Sequence, residues 1–201
     1  MADALRKEVL ADRIWPTEGQ SLRVKQILLV VAGIAALTLA AKIKIPIWPS
    51  PVPITLTTFA VLTIGVAYGP KLGLAAIAGY LLLGAFGWHV FAGSSAEANG
   101  LAYMMGGTGG YLLGYLLAAL LLGFWARRGF DRSVGGIAAG MLIGTLLIYI
   151  PGLLWLGHLY GWDQPIIAWG LTPFLIGDAL KLALAALLVP ALWRWIGEAR
   201  A

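Results

Sequence analysis

Long apolar stretches separated by short polar turns make up most of this 201-residue chain. A membrane helix needs about 20 consecutive apolar residues to cross a hydrocarbon core of about 30 Å. By this measure the pattern predicts six transmembrane helices, at about 22–41, 54–68, 72–87, 108–126, 134–156 and 167–196. The second is short for a full crossing, so we expect part of the loop before it to enter the membrane against protein. The pattern therefore predicts an all-α integral membrane domain.

Two long loops interrupt the apolar pattern. Residues 42–53 contain four prolines, which prevent a regular helix and favour a stiff, extended chain. Residues 88–107 are rich in glycine, alanine and serine, a composition typical of an irregular loop. Other connections are short turns, such as the one at Gly69-Pro70.

The positive charges lie mainly on one side of the predicted membrane. With six crossings both ends of the chain face the same side, and eleven of the 14 lysines and arginines then fall there. Lys42 and Lys44 fall on the other side, and Lys181 falls within the last span. Because cytoplasmic segments carry the excess of positive charge, we expect cytoplasmic tails at 1–21 and 197–201 and two external long loops. The chain is predicted to be a multi-pass protein of the cell membrane.

Composition excludes several classes of function. The chain is 60% hydrophobic and 11% charged, with a mean hydropathy of +0.86, which lies outside the range of soluble domains. The net charge of +5 is explained by the cytoplasmic segments, so no nucleic-acid partner is expected. The first 20 residues are polar, and we expect no cleavable signal peptide. There is no cysteine and no P-loop motif, so thiolate metal sites are excluded and any ATP hydrolysis must come from another subunit.

An intramembrane enzyme is the main alternative class. A serine protease would need a serine beside a histidine inside the bilayer, yet the five serines lie in loops or at segment ends. His89 and His158 are isolated at the external ends of segments. No predicted span carries more than one acidic residue, which disfavours a metal-dependent transferase. We expect no catalytic residue, no metal site and no cofactor.

The last predicted span contains Asp178 and Lys181, the only charged residues in the core of any predicted span. A charge at the centre of a membrane helix costs roughly 2.5–3.5 kcal/mol on insertion scales. Three positions apart, the two side chains share a helix face and can pair. They can be a structural ion pair that joins helices, or the polar part of a substrate or ion path. We favour the second interpretation, because intramembrane charges usually mark such a path.

Aromatic residues are candidates to line an apolar ligand site around this pair. Trp48, Tyr80, Phe91 and Tyr111 offer flat apolar surfaces, and the two external loops are predicted to close over them. Such a site would be mostly apolar with a few convergent polar groups, as ligand sites usually are. Tyrosine and tryptophan also collect at membrane interfaces, so that alternative stays open for each of them.

Three alanines follow one face of the first predicted span. Ala32, Ala36 and Ala40 recur at intervals of four, which places small side chains along one stripe of a helix. Such a stripe allows close packing within the bundle, or it offers a docking surface for the helix of a partner.

Six motifs, taken in this order, resemble the BioY family, the biotin-specific S components of energy-coupling-factor (ECF) transporters. They are Pro51-Val-Pro-Ile-Thr-Leu-Thr-Thr-Phe-Ala-Val, Gly69-Pro-Lys-Leu-Gly, Tyr80-Leu-Leu-Leu-Gly-Ala-Phe-Gly, Phe91-Ala-Gly, Gly107-Thr-Gly-Gly-Tyr and Gly177-Asp-Ala-Leu-Lys. No single motif is specific, but the ordered set is, and the resemblance extends over about 22–196.

The resemblance implies a six-helix S-component fold that captures biotin from outside. It also implies delivery through association with a transmembrane T component and two ATP-binding-cassette subunits, with the stripe of Ala32, Ala36 and Ala40 facing the T component. The polar pair of the family corresponds to Asp178 and Lys181, where it meets the polar end groups of biotin. An S component for a different small vitamin is the alternative.

The sequence departs from the family pattern at three places. The family often has glutamine where Thr57 stands and proline where Gly107 stands. Some members carry an arginine in the loop that corresponds to 92–100, and this sequence has none there. Asn99, Tyr103 and loop backbone N–H groups are the candidates to bind the carboxylate of biotin.

Overall fold

The computed structural model describes residues 8–96 and 98–198, and most of them are helical. The helices, in chain order, are α1 (Leu10–Ile14), α2 (Gln20–Lys42), α3 (Thr57–Ala85), α4 (Gly100–Met104), α5 (Gly109–Arg127), α6 (Val134–Tyr160), α7 (Ile166–Gly170) and α8 (Leu175–Glu198). Short 3₁₀ helices lie at Phe130–Arg132 and Thr172–Phe174, and two short strands at Lys44–Ile45 (β1) and Ile54–Thr55 (β2). In the described ranges, five segments are long and apolar enough to cross a membrane: α2, α3, α5, α6 and the stretch Ile166–Gly197.

Helix α3 is broken at Gly69, where the backbone turns back on itself. Gly69 has φ 75° and ψ 179°, a conformation open to glycine, and Pro70 follows it. A Cβ built on Gly73 would lie 3.3 Å from Cα of Gly65, whereas eight residues of continuous helix span about 12 Å. The two halves therefore form a hairpin, and they correspond to the predicted spans 54–68 and 72–87. The number of membrane crossings and the side on which the termini lie remain predictions.

Helix α5 packs between α3 and α6 and forms the centre of the bundle. Its glycines allow close contact with α6, since a Cβ on Gly114 would lie 2.6 Å from Cα of Ile148. Small residues at intervals of four let membrane helices approach in this way. The buried side chains Ile77, Leu122 and Met141 fill the interior between these helices.

The last predicted span, 167–196, is not one continuous helix. It is divided into α7, a 3₁₀ turn and α8, with Leu171 at φ −131° and ψ −58° between the first two. Pro173 explains the interruption, because proline supplies no N–H for a helical hydrogen bond and clashes with the preceding turn. The break makes Leu175 the first residue of α8 and places Asp178 in its first turn.

The predicted N-terminal tail contains a short packed helix. Val9, Leu10 and Ala11 are buried, and Val9 lies against the turn at Gly69. Asp12 forms a salt bridge of 3.6 Å with Arg127 at the end of α5. Three apolar residues are too few to show helical periodicity, so the sequence pattern could not predict this contact. The remainder of the tail, 1–7, and the end of the chain, 199–201, lie outside the described residues.

Candidate ligand-binding site

A cavity lies where α3, α5, α6 and α8 meet below the two long loops. It holds about 540 Å³ of empty space, including its open mouth. Seven aromatic side chains and one lysine contribute to its wall: Tyr80, Phe91, Tyr103, Tyr111, Tyr115, Tyr149, Phe174 and Lys181. Hydroxyl groups of four threonines complete the polar part of the lining: Thr55, Thr57, Thr58 and Thr108. The wall is therefore largely flat and apolar, with polar atoms at a few points.

Phe91 fixes the second loop over this cavity. Its ring stacks on Tyr103 with centroids 4.9 Å apart and an interplanar angle of 14°. It meets Tyr80 edge-on at 5.3 Å. The ring fits against Gly84 so closely that any Cβ there would overlap it. The absence of a side chain at Gly84 is thus what allows Phe91 to be 99% buried at the cavity wall.

Hydroxyl groups of the tyrosines attach the loops to the helices. Tyr111 donates a hydrogen bond of 2.9 Å to the carbonyl of Gly170, the last residue of α7. Tyr80 donates at 3.4 Å to the carbonyl of Val90, and the N–H of Gly93 donates at 3.2 Å to Tyr103. The first loop is attached through Ser50, which donates to the carbonyl of Trp169 at 2.8 Å. These bonds hold both loops in contact with the helices around the cavity.

Lys181 and Asp178 form the polar end of the cavity and bond to each other. Nζ of Lys181 donates to Oδ1 of Asp178 at 3.0 Å, to Oγ1 of Thr58 at 2.9 Å and to the carbonyl of Thr55 at 3.0 Å. The hydroxyl of Tyr149 donates to the other carboxylate oxygen, Oδ2 of Asp178. An ammonium carries three donors, so every proton of Lys181 is used within the protein.

The surrounding side chains explain how two charged residues can be buried inside the helix bundle. The side chains of Asp178 and Lys181 are only 12% and 13% exposed. A buried ion pair is stable only when its remaining hydrogen-bonding groups are satisfied, which Tyr149, Thr55 and Thr58 achieve here. Asp178 also lies in the first turn of α8, where the helix dipole favours negative charge. Lys181 reaches the main cavity, while Asp178 lies behind it and borders a smaller adjoining void.

The structure brings together most of the residues singled out in the sequence. Lys181, Tyr80, Phe91, Tyr103 and Tyr111 line one cavity, and Asp178 contacts it through Lys181.

Two other candidates lie elsewhere. Trp48 is 93% exposed. Asn99 pairs its amide with Nε2 of His89 at 3.2 Å instead of facing the cavity. In the predicted docking stripe Ala32 and Ala36 are exposed and Ala40 is half-buried.

Sequence reasoning missed several residues of the polar cluster. Tyr149, Thr55 and Thr58 hold the charged pair, yet each is an isolated polar residue in or beside an apolar segment. Tyr115 carried a weak signal, since it lies four positions after Tyr111 and so shares its helix face. In the ranges 8–96 and 98–198, no three histidine, aspartate or glutamate side chains cluster to hold a metal ion.

Fold and site together define a class of protein: a multi-pass membrane protein with a cavity between its helices and its two long loops. A solved structure with this fold is the crystal structure at 2.1 Å of the S-component for biotin from an ECF-type ABC transporter. It matches with a TM-score of 0.76 and 25% identity, covering 89% of this chain and 95% of that one. The chain therefore has the S-component fold, as its motifs predicted.

Sequence comparison gives the family. The sequence model of the BioY family matches residues 15–198. The probable biotin transporter BioY of Pyrococcus horikoshii is 36% identical over 171 residues, which are 85% of this chain and 98% of the relative. The biotin transporter BioY of Thermotoga maritima is 36% identical over 162 residues, 80% of this chain and 92% of the relative. The chain belongs to the BioY family. It is a transport subunit of the cell membrane, not an enzyme.

Proposed function

We propose that the chain captures biotin from outside the cell and passes it inward with an ATP-driven ECF module. The observation that carries this proposal is the cavity itself, in which flat aromatic walls end at one buried polar cluster around Lys181. Biotin has the matching shape, with a polar ureido ring fused to an apolar thiophane ring and a valeryl chain. Membership of the BioY family supports the same ligand.

We propose an orientation in which the ureido ring lies at the end of the cavity formed by Lys181, Thr58 and Tyr149. The thiophane ring and chain then lie against Phe91 and Tyr103, whose stacked rings offer apolar surface. The valeryl carboxylate points toward the loops. Tyr103 remains the candidate to bind it together with loop N–H groups, since Asn99 does not line the cavity.

The charged pair is satisfied by groups of the protein itself, which bears on how biotin would bind. Because Asp178 and Lys181 bond each other and three further groups, the cavity wall holds no unpaired buried charge. Biotin can therefore bind this cluster in two ways. It can form additional hydrogen bonds with groups that are already paired, or it can replace Thr58 or Thr55 as an acceptor for the ammonium of Lys181. Either route avoids stranding a charge in an apolar wall.

We propose that the energising partners are a T component and two ATP-binding-cassette subunits, as in ECF transporters, and that α2 faces the T component. Support comes from the apolar face of α2, where Val31, Ala32, Ala36 and Leu39 are all exposed. The replacement Ala36→Leu should then leave biotin binding intact and reduce co-purification with a T component. Normal assembly of that variant would show that this face contacts lipid alone.

The deciding experiment is equilibrium binding of labelled biotin to the purified protein in detergent or nanodiscs. Saturable binding, displaced by unlabelled biotin and not by an excess of thiamine or riboflavin, is the expected result. Saturable binding of labelled thiamine or riboflavin, without binding of labelled biotin, would assign the cavity to that vitamin. No binding of any of the three would overturn the proposal.

A further inference from the structure

A second cavity lies at the other end of the bundle from the aromatic cavity, between α1, the start of α2 and the end of α5. It holds about 1080 Å³ of empty space, including its open mouth. Its lining is mostly charged or polar, and it consists of Glu8, Asp12, Pro16, Thr17, Glu18, Leu22, Lys25 and Arg127. The proposed capture of biotin makes no use of this cavity.

Lys25 is the least satisfied charge in this wall. It is only 2% exposed, yet its one hydrogen-bond partner in the described part of the chain is the carbonyl oxygen of Trp15. No carboxylate of residues 8–96 and 98–198 forms an ion pair with its ammonium. Lys181, which is less buried, has three acceptors. Since an ammonium carries three donors and is costly to bury unpaired, Lys25 brings two unused donors and an unbalanced charge to the cavity.

The same cavity also contains acceptors that lack a donor. Oε2 of Glu8 and the hydroxyl oxygen of Thr17 are buried, and neither forms a hydrogen bond within the described residues. Glu8 has only a distant ion pair, 4.0 Å from Arg13. Asp12 and Arg127, in contrast, pair with each other at 3.6 Å. The unmatched atoms of the lining are therefore those of one cation together with a carboxylate and a hydroxyl group.

This combination disfavours a simple ion as the occupant. Sites for anionic headgroups are clusters of lysine and arginine, whereas three carboxylates line this cavity. A metal ion is disfavoured too, because Lys25 would repel it and no three acidic or histidine side chains cluster within the described ranges. A ligand that carries a negative group for Lys25 and N–H donors for Glu8 and Thr17 would satisfy all of the unmatched atoms.

The position of the cavity indicates a membrane lipid as the source of such a ligand. Helix α2 has 23 residues and is about 34 Å long, slightly more than a hydrocarbon core of about 30 Å. Its first turns, which contain Leu22 and Lys25, therefore lie where lipid headgroups meet hydrocarbon. Further along α2, Ile27 and Leu28 expose apolar side chains against which an acyl chain can lie.

We propose that this cavity binds the headgroup of an aminoethyl phospholipid, with its phosphate on Lys25 and its primary ammonium on Glu8 and Thr17. Because α1, α2 and α5 all contribute to the lining, the bound headgroup would join the ends of these three helices. The proposal does not depend on the ligand of the aromatic cavity, and biotin binding is not its readout, so either proposal can fail without the other.

The test is native mass spectrometry of the delipidated full-length protein, titrated with lipids of identical acyl chains. Phosphatidylethanolamine should bind at least about 10-fold more tightly than phosphatidylglycerol, which lacks the ammonium, and phosphatidylcholine, whose quaternary ammonium has no N–H to donate. Equal affinity for all three lipids would overturn the proposal. Soluble glycerophosphoethanolamine should bind more weakly than the lipid, and equally tight binding would make the free headgroup the ligand and overturn the assignment to a lipid.

Variants assign the two ends of the headgroup. Lys25→Met should weaken both phosphatidylethanolamine and phosphatidylglycerol at least about 10-fold, whereas Lys71→Met, which removes an exposed lysine outside the cavity, should bind both as the wild type does. Equal losses in these two variants would indicate general surface charge and overturn the proposal. Glu8→Gln keeps the bond from Lys25 to Trp15 and should lose most of the preference for phosphatidylethanolamine. If Lys25→Met does not fold, Glu8→Gln decides alone, and an unchanged preference overturns the proposal.

Discussion

Helix α8 carries a contact to a buried carboxylate near each of its ends, and the two carboxylates are stabilised in opposite ways. Near its start, Asp178 bonds a lysine and a tyrosine. Fifteen residues later, about 22 Å along a helix, Trp193 donates at 2.6 Å to Asp131 in the turn between α5 and α6. Asp131 is fully buried, and its Oδ1 has no hydrogen-bond partner in the part of the chain that the structure describes.

The difference shows what a cation does for a buried acid. Asp178 shares its charge with Lys181 at 3.0 Å, so the pair is neutral as a unit. Asp131 has a neutral donor instead, while the neighbouring Arg132 stacks on Trp193 with its guanidinium 4.4 Å from the ring centroid. Burial therefore raises the pKa of Asp131 to about 6, although Trp193 and Arg132 oppose the shift. We therefore expect stability to depend on Lys181 at the Asp178 end of α8 and on pH at the Asp131 end.

The largest expected effect comes from removing the cation. Lys181→Met leaves Asp178 buried without a counter-charge, which should lower the free energy of unfolding by about 3–5 kcal/mol. Biotin affinity should fall at least about 100-fold, since the polar end of the cavity collapses. Thermal unfolding and labelled-biotin binding measure the two effects, with Lys71→Met, an exposed lysine, as the control.

The double variant Asp178→Asn/Lys181→Met sharpens this result. It removes both charges, so stability should recover most of the loss while biotin affinity stays low. If Lys181→Met alone were as stable as the wild type, Asp178 would not depend on its cation and the contrast with Asp131 would disappear.

The second effect is a pH dependence at the other end of α8. The pKa of Asp131 is about 6 in the folded protein against 3.8 for an ordinary aspartate. Between these values the folded state binds a proton that the unfolded state has lost, so stability falls as pH rises through the window. The expected loss from pH 4 to pH 6 is about 2 kcal/mol.

Thermal unfolding across that pH range measures this loss. In Asp131→Asn the fall attributable to this site should vanish, because the side chain no longer titrates. Asp163→Asn, which alters an exposed acid, should keep the slope of the wild type. Equal slopes in both variants would show that Asp131 remains ionised throughout.

The sequence predicted the class of fold because apolar length and charge asymmetry are strong local signals. It also indicated Asp178 and Lys181, since charges within apolar segments are costly and therefore uncommon. The aromatic residues Tyr80, Phe91 and Tyr111 belong to recognisable motifs, and all three line the cavity. Whether any of these residues binds biotin stays a prediction.

The remaining features depend on contacts that no local pattern encodes. Thr58 lies 123 positions before its partner Lys181, and an isolated threonine is common in membrane helices. Trp48 shows the converse, since this conspicuous residue of a proline-rich loop is 93% exposed and is not part of the cavity lining. Pairing between residues far apart in the chain is a property of the packed bundle, whereas the break of the last span follows from the local signal of Pro173.

The smallest effect separates the two tyrosines beside the polar cluster. Tyr149→Phe removes a hydrogen bond within the protein, so the ligand-free form should lose about 1.5 kcal/mol, the low end for a bond to a charged group, because Lys181 still holds Asp178. Tyr115→Phe removes no such bond and should leave ligand-free stability intact. Tyr160→Phe, which alters a tyrosine that is 41% exposed, is the control for both. Biotin should bind Tyr149→Phe only a few-fold more weakly, since the proton of this hydroxyl is donated to the carboxylate of Asp178 and its effect on the ligand is indirect. The reverse outcome, with Tyr149→Phe stable but defective in binding, would make Tyr149 the ligand contact and limit the paired cluster to Lys181 and Asp178.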